Sequence, residues 1–167
     1  MTQELTDLRN SILQGRYADA LAIVDELEGM SKKAILQQIK SFLKILLIHL
    51  IKNHIEQRLT NSGIASIRNA IVEIQDVNLK ENKTSHYVNQ NEWENFIKDA
   101  VIEGAIADAS LEVMNGKYTR SQLSAILDKN QVIATAMRLL SLTYTYSAKE
   151  LPIIMDDYLS QLPGGEI

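Results

Sequence analysis

The segment 42–59, FLKILLIHLIKNHIEQRL, constrains the fold of this 167-residue chain more than any other. From Ile45 to Ile51 apolar side chains surround the helical wheel, and a helix that is apolar all round has to be buried centrally. Ahead of it Ile35, Leu36, Ile39, Leu43, Leu46 and Leu50 fall on one side, with Lys33, Gln37, Lys40 and Lys44 on the other. The pattern predicts a long core helix over 31–60, with Ser31 as its N-cap. A membrane span takes about 20 apolar residues. The run at 45–51 offers seven positions with His49 among them, so no span is expected.

Helical spacing accounts for most of the remaining chain. Leu5, Leu8, Ile12 and Leu13 form a first stripe that Gly15 should stop, and Ala18, Leu21, Ala22 and Leu27 form a second that Gly29 should stop. Together they predict an N-terminal helical hairpin over 3–29. Its turn, QGRYADAL, does not recur about 34 residues later, so a repeat solenoid is not expected. Ser62 is placed to cap a helix over about 64–77, and the polar, aperiodic stretch 78–91 predicts a long exposed loop. A helix follows with Trp93, Phe96, Ile97 and Val101, ending near Asn115 and Gly116. Thr119 and Gln122 have the capping-box spacing. Helices with Leu123, Ile126 and Leu127, and then from about Gln131, come next, and Pro152 suits the first turn of the last. The expected fold is all-α, a single helical bundle domain of about seven or eight helices over 1–162, with 163–167 as a flexible tail.

Composition narrows the chemistry. The chain has no cysteine, which removes disulfides, thiolate metal sites and a cysteine nucleophile. The N-terminus MTQELTDLRN has no basic region followed by an apolar run, so a cytoplasmic protein is expected. The net charge of −4 argues against a wholesale nucleic-acid binder, although residues 1–83 carry 11 basic against 10 acidic groups and the remainder carry 6 against 11. Nucleophile-elbow, P-loop and dinucleotide signatures are missing from the sequence.

The histidines are the first place to look for a site. His49 and His54 are five residues apart and diverge by about 140° on a helix, so they cannot share a metal. Glu-x-x-His pairs are also missing, and no metal or cofactor is expected. His49 shares its face with Asn53 and Glu56, a candidate polar network. Asp99 and Glu103 are helix neighbours whose place opposite an apolar stripe predicts a solvated face. Tyr144, Tyr146 and Tyr158 form a candidate interface cluster, because tyrosine joins an apolar ring to a hydrogen-bonding end. Lys33, Lys40 and Lys44 form a basic face that could touch phosphates, though without interleaved aromatics for stacking.

The stretch DELEGMSKKAILQQIKSFLKILLIHLIKNHIEQRLTNSGIASIRNAIVEI, residues 25–74, resembles the domain of unknown function family 29, a bacterial family abundant in cyanobacteria. The acidic-apolar DELEGM, the lysine-rich helix and LLIHLIK running into NSGIASIRNAIVEI carry the likeness, which extends loosely over 1–116. Relatives place Trp where this chain has Gly63, and Arg68 is the only arginine in the following helix. The resemblance implies an all-helical fold and brings no activity with it.

Two functions from different classes follow. The first is a non-catalytic helical protein-interaction module, self-associating or binding another protein. The alternative is an accessory regulator that contacts nucleic acid through the basic face of the 32–58 helix. An enzyme would need His49 with Glu56 or another carboxylate in a pocket, and none is expected.

Overall fold

A computed structural model describes residues 2–165. The described chain is all-α, with one isolated antiparallel bridge between Leu79 and His86. It divides after Gln37 into two compact units.

The first unit holds α1 (Gln3–Leu13) and the start of α2 (Tyr17–Glu56). Thr2 caps α1 by accepting from the Leu5 amide, and Gly15 ends the hairpin's first arm in the left-handed conformation (φ 73°). The Arg16 amide donates to the Ser11 carbonyl at 2.8 Å across this turn. Ser11 and Ala20, small residues on either side of it, are the only buried residues described in this unit.

The expected break at Gly29 does not occur. α2 runs unbroken through Gly29 and Ser31, so the hairpin's second arm and the long core helix are one 40-residue element. A helical glycine costs only about 1 kcal/mol relative to alanine, too little to stop a helix continued by strong formers on both sides. The C-terminal end also moves, to Glu56, where Gln57 turns left-handed (φ 55°) and its amide donates to the Asn53 carbonyl.

In the second unit the core is built from α2 outward. Ile39, Leu43, Leu46, Leu47, Leu50 and Ile51 are buried, while Ile45 is 43% exposed, so the helix is buried on a broad face and not all round. By length and composition alone α2 is long and apolar enough to cross a membrane, a test that a core helix also passes, and a third of its most apolar window is buried inside the fold.

α3 (Asn61–Asn78) is capped by Thr60, not Ser62: the Gly63 amide donates to Thr60 Oγ1 at 3.0 Å. Its Ile67, Ile71 and Ile74 are fully buried, and it packs against α7 (Lys129–Thr145) and α8 (Leu151–Leu159). Between them α4 (Trp93–Phe96) passes through a π turn, Ile97–Val101, into α5 (Ile102–Ser110). α5 ends at Ser110, short of the expected Asn115, and beyond it Met114 and Asn115 adopt left-handed backbone, which cannot continue an α-helix. The Thr119–Gln122 capping box opens α6 (Arg120–Ile126) with both of its hydrogen bonds made, and α6 packs on α5. Asp128 caps α7 two residues ahead of the expected start, and Pro152 sits in the first turn of α8.

Within the stretch 163–167, Pro163 accepts a hydrogen bond through its carbonyl from Asn53 at 2.7 Å, and Gly164 (φ 76°) lies so close to Arg58 that a Cβ would meet its Cα at 2.6 Å. Glu166 and Ile167 lie outside the described residues.

Gly29 offers a direct check on the continuity of α2. A Cβ there would meet nothing within 4 Å, so Gly29→Ala should raise unfolding stability by about 0.5–1 kcal/mol in urea melts. Were Gly29 a left-handed stop, the same change would destabilise.

Candidate functional site

Where α2 ends, the left-handed Gln57 sends Arg58–Ser62 back beside the helix's last two turns. This closes a cavity of about 40 Å³ lined by His49, Lys52, Asn53, Glu56, Arg58 and Ser62 among others. The three candidate network residues, four and three apart, therefore open onto one space. Its volume suits a water molecule or two.

They do not bond to each other. Asn53 is 5% exposed, and its amide donates to the Arg58 carbonyl at 3.1 Å and to the Pro163 carbonyl at 2.7 Å. Glu56, with its side chain 12% exposed, accepts from the Met114 amide at 3.0 Å and from Arg58 Nε at 3.2 Å. It thereby holds the left-handed turn after α5. His49 is half-buried and makes no hydrogen bond among the described residues. The expected ribbon is in fact two separate clamps and an imidazole at the cavity wall.

The local field sets the charge states. Burial pushes the His49 imidazole below its ordinary value, the neighbouring Lys52 pushes the same way, and Glu112 pulls back. The Met114 amide holds the Glu56 carboxyl low against the opposing effect of burial, with Arg58 and Lys52 assisting. The site thus presents a neutral imidazole and a fixed carboxylate.

The other candidates are dispersed. Tyr144 faces inward: its hydroxyl accepts from Trp93 Nε1 at 2.7 Å and from Asn78 at 3.2 Å, and donates to the Val88 carbonyl at 2.6 Å. His86 packs edge-on against its ring at 4.7 Å. Tyr146 and Tyr158 are half-buried, and no ring contact joins the three tyrosines among the described residues. Of the basic face, Lys33 and Lys40 are exposed, whereas Lys44 pairs with Asp108 at 2.6 Å. Glu103 is exposed and pairs with Lys129 and Arg120. Among the described residues no three His, Asp or Glu side chains are placed to hold a metal ion.

Sequence reasoning missed Asn78, which is 1% exposed and grips the loop expected to be free: its side chain accepts from the Val88 amide at 2.8 Å and donates to the Val88 carbonyl at 3.0 Å. It also missed Glu112 and the Met114 amide as partners of the α2 end.

Residues 2–132 match the family model described as Domain of unknown function DUF29. No curated protein and no solved structure matches the chain.

Both lowered groups bind protons less readily in the folded chain than in the unfolded one. Their stabilisation is complete above the ordinary values of 6.5 for His49 and 4.5 for Glu56, and is lost as pH falls through the lowered folded values. Urea midpoints measured from about pH 8 to about pH 3 should fall in two limbs. His49→Gln should remove the first and Glu56→Gln the second. Asn53→Leu leaves two carbonyls without a donor, and should cost about 1–3 kcal/mol at neutral pH.

Proposed function

The chain belongs to the DUF29 family, and from that premise we propose that it is a non-catalytic protein-interaction module. The observation that supports this reading is the distribution of exposed apolar side chains. Of the twelve exposed large apolar side chains among the described residues, six fall within the first 37 residues: Leu5, Ile12, Leu13, Tyr17, Leu21 and Met30, each 43% exposed or more. In the same segment no large apolar side chain is fully buried. Single exposed leucines are ordinary, but a cluster of this kind marks a surface that meets another molecule.

The His49 cavity supports the non-catalytic part of the proposal. It is small, and its carboxylate is already engaged by the Met114 amide and Arg58. The basic face weighs less than it did in the sequence, since Lys44 and Lys52 have Asp108 and Glu112 beside them. Neutralised lysines release few counterions on binding phosphate.

A photoreactive phenylalanine analogue at Tyr17 tests the reading. Irradiated in cells of the source organism, it should form covalent adducts with protein. The same probe at Glu73, an exposed position on α3, serves as the control. Adducts no more abundant at Tyr17 than at Glu73 would remove the proposal.

A further inference from the structure

We propose that the partner of the N-terminal hairpin is a second copy of the same hairpin, paired by a two-fold axis that runs parallel to its helices. This deepens the interaction reading and rests on it.

The hairpin presents one continuous apolar face. At about 100° per residue, Leu5 and Ile12 lie roughly 100–120° round the wheel from the buried Ser11. Tyr17 and Leu21 lie roughly 60–100° round from the buried Ala20, in the same winding sense. The connection Gln14–Arg16 is three residues long, which folds the two helices antiparallel. Antiparallel helices wind in opposite senses when viewed from one end, so both stripes emerge on the same side of the hairpin. The exposures of Leu5, Ile12, Tyr17 and Leu21 are 43%, 51%, 66% and 65%. Together they leave roughly 450 Å² of open, largely apolar surface, in the range of a functional patch.

A partner would add side-chain burial that this segment lacks, and a unit below about 40 residues gains from a disulfide, a metal or association. The chain has no cysteine, and among the described residues none of its His, Asp and Glu are grouped for a metal. The open apolar surface is about half of the roughly 800 Å² per partner of a standard interface, and the exposed Arg9, Asp25 and Glu28 border it.

Charge selects the occupant. Arg9 flanks the face on α1, while Asp25 and Glu28 flank it on α2, and none of the three forms an ion pair among the described residues. A two-fold axis parallel to the helices lays α1 of each copy over α2 of the other. Arg9 then stands about one helical turn, roughly 6 Å along the axis, from Asp25 of the other copy, a gap its long side chain can span, twice by symmetry. An isologous interface requires this self-complementarity, and the hairpin carries both halves of it.

Sedimentation equilibrium on the full chain, over roughly 1–100 μM, tests the pairing. The wild type should be a reversible dimer. Leu21→Glu should be monomeric with an unchanged helical circular dichroism spectrum, since Leu21 is exposed. Arg9→Glu and Asp25→Arg should each weaken self-association at least about fivefold. An equal mixture of the two should recover wild-type affinity, because each mixed dimer has two opposite-charge contacts. A chain monomeric at the highest concentration overturns the inference, as does a Leu21→Glu variant that still dimerises or a mixture that does not recover. A monomer that floats with neutral phosphatidylcholine vesicles overturns it too and assigns the face to lipid. If the chain is monomeric but the Tyr17 probe still captures other polypeptides, the self-pairing falls and the interaction module stands. If that probe captures nothing, both fall.

Discussion

The hydroxyl of Tyr144 holds the second unit in register. It donates to the Val88 carbonyl and accepts from the Trp93 indole and the Asn78 amide, which uses all three of its hydrogen-bonding positions. Those partners lie on α3, on the loop after it, and at the start of α4, while Tyr144 itself is on α7. Burial raises the phenol above its ordinary value, despite the two donors aimed at it, and so keeps the proton that Val88 needs. No buried side-chain nitrogen or oxygen among the described residues lacks a partner. Such a network is costly when incomplete and position-defining when closed. The apolar stripes of α3 and α7 bring these helices together, and the hydroxyl fixes which turn faces which.

Local chemistry was legible where one residue type carries one physical role. The capping box at Thr119 and the proline of α8 could be read directly, because each meets a backbone demand within a single turn. Competing signals of similar strength were not. Thr60 and Ser62 are both able caps, and the choice fell to Thr60, whose hydroxyl reaches the Gly63 amide. Gly29 and Ser31 together look like a stop and a start, yet helix propagation through them costs less than ending and renucleating a helix. The π turn at Ile97–Val101 has no composition of its own. Its extra residue per turn shifts the apolar face, so that Ile97, Val101, Ile102, Ala105 and Ile106 are all buried in spite of their mixed spacing.

The candidate site was half legible. Spacing placed His49, Asn53 and Glu56 on one face, and all three do line one cavity. Their partners could not be read, since Met114 and Pro163 are more than 50 residues away in the chain. Asn53 and Glu56 turn out to anchor distant backbone, a role that the polar loops of the sequence gave no sign of. Tyr144 taught the converse lesson. Its neighbours at Tyr146 and Tyr158 suggested a surface cluster, while its real partners, Trp93 and Asn78, lay in segments read as helix and loop.

The apolar residues are unevenly divided, and this bears on why the hairpin keeps its face. The second unit fully buries a core of large side chains, from Ile39 to Leu159, although Leu111 and Ile153 among others stay exposed. The hairpin, with a comparable supply of leucine and isoleucine, buries only a serine and an alanine. Small residues at those positions leave little side-chain volume to bury within the unit. Leu8, Ile23, Val24 and Leu27 are half-buried, while Leu5, Ile12, Tyr17 and Leu21 are left exposed. Chains drift toward polar residues at positions that gain nothing from burial, because exposed apolar surface promotes association. In the pairing proposed above, Leu5, Ile12, Tyr17 and Leu21 gain their burial only after folding, in an encounter that the acidic and basic flanks of the face orient.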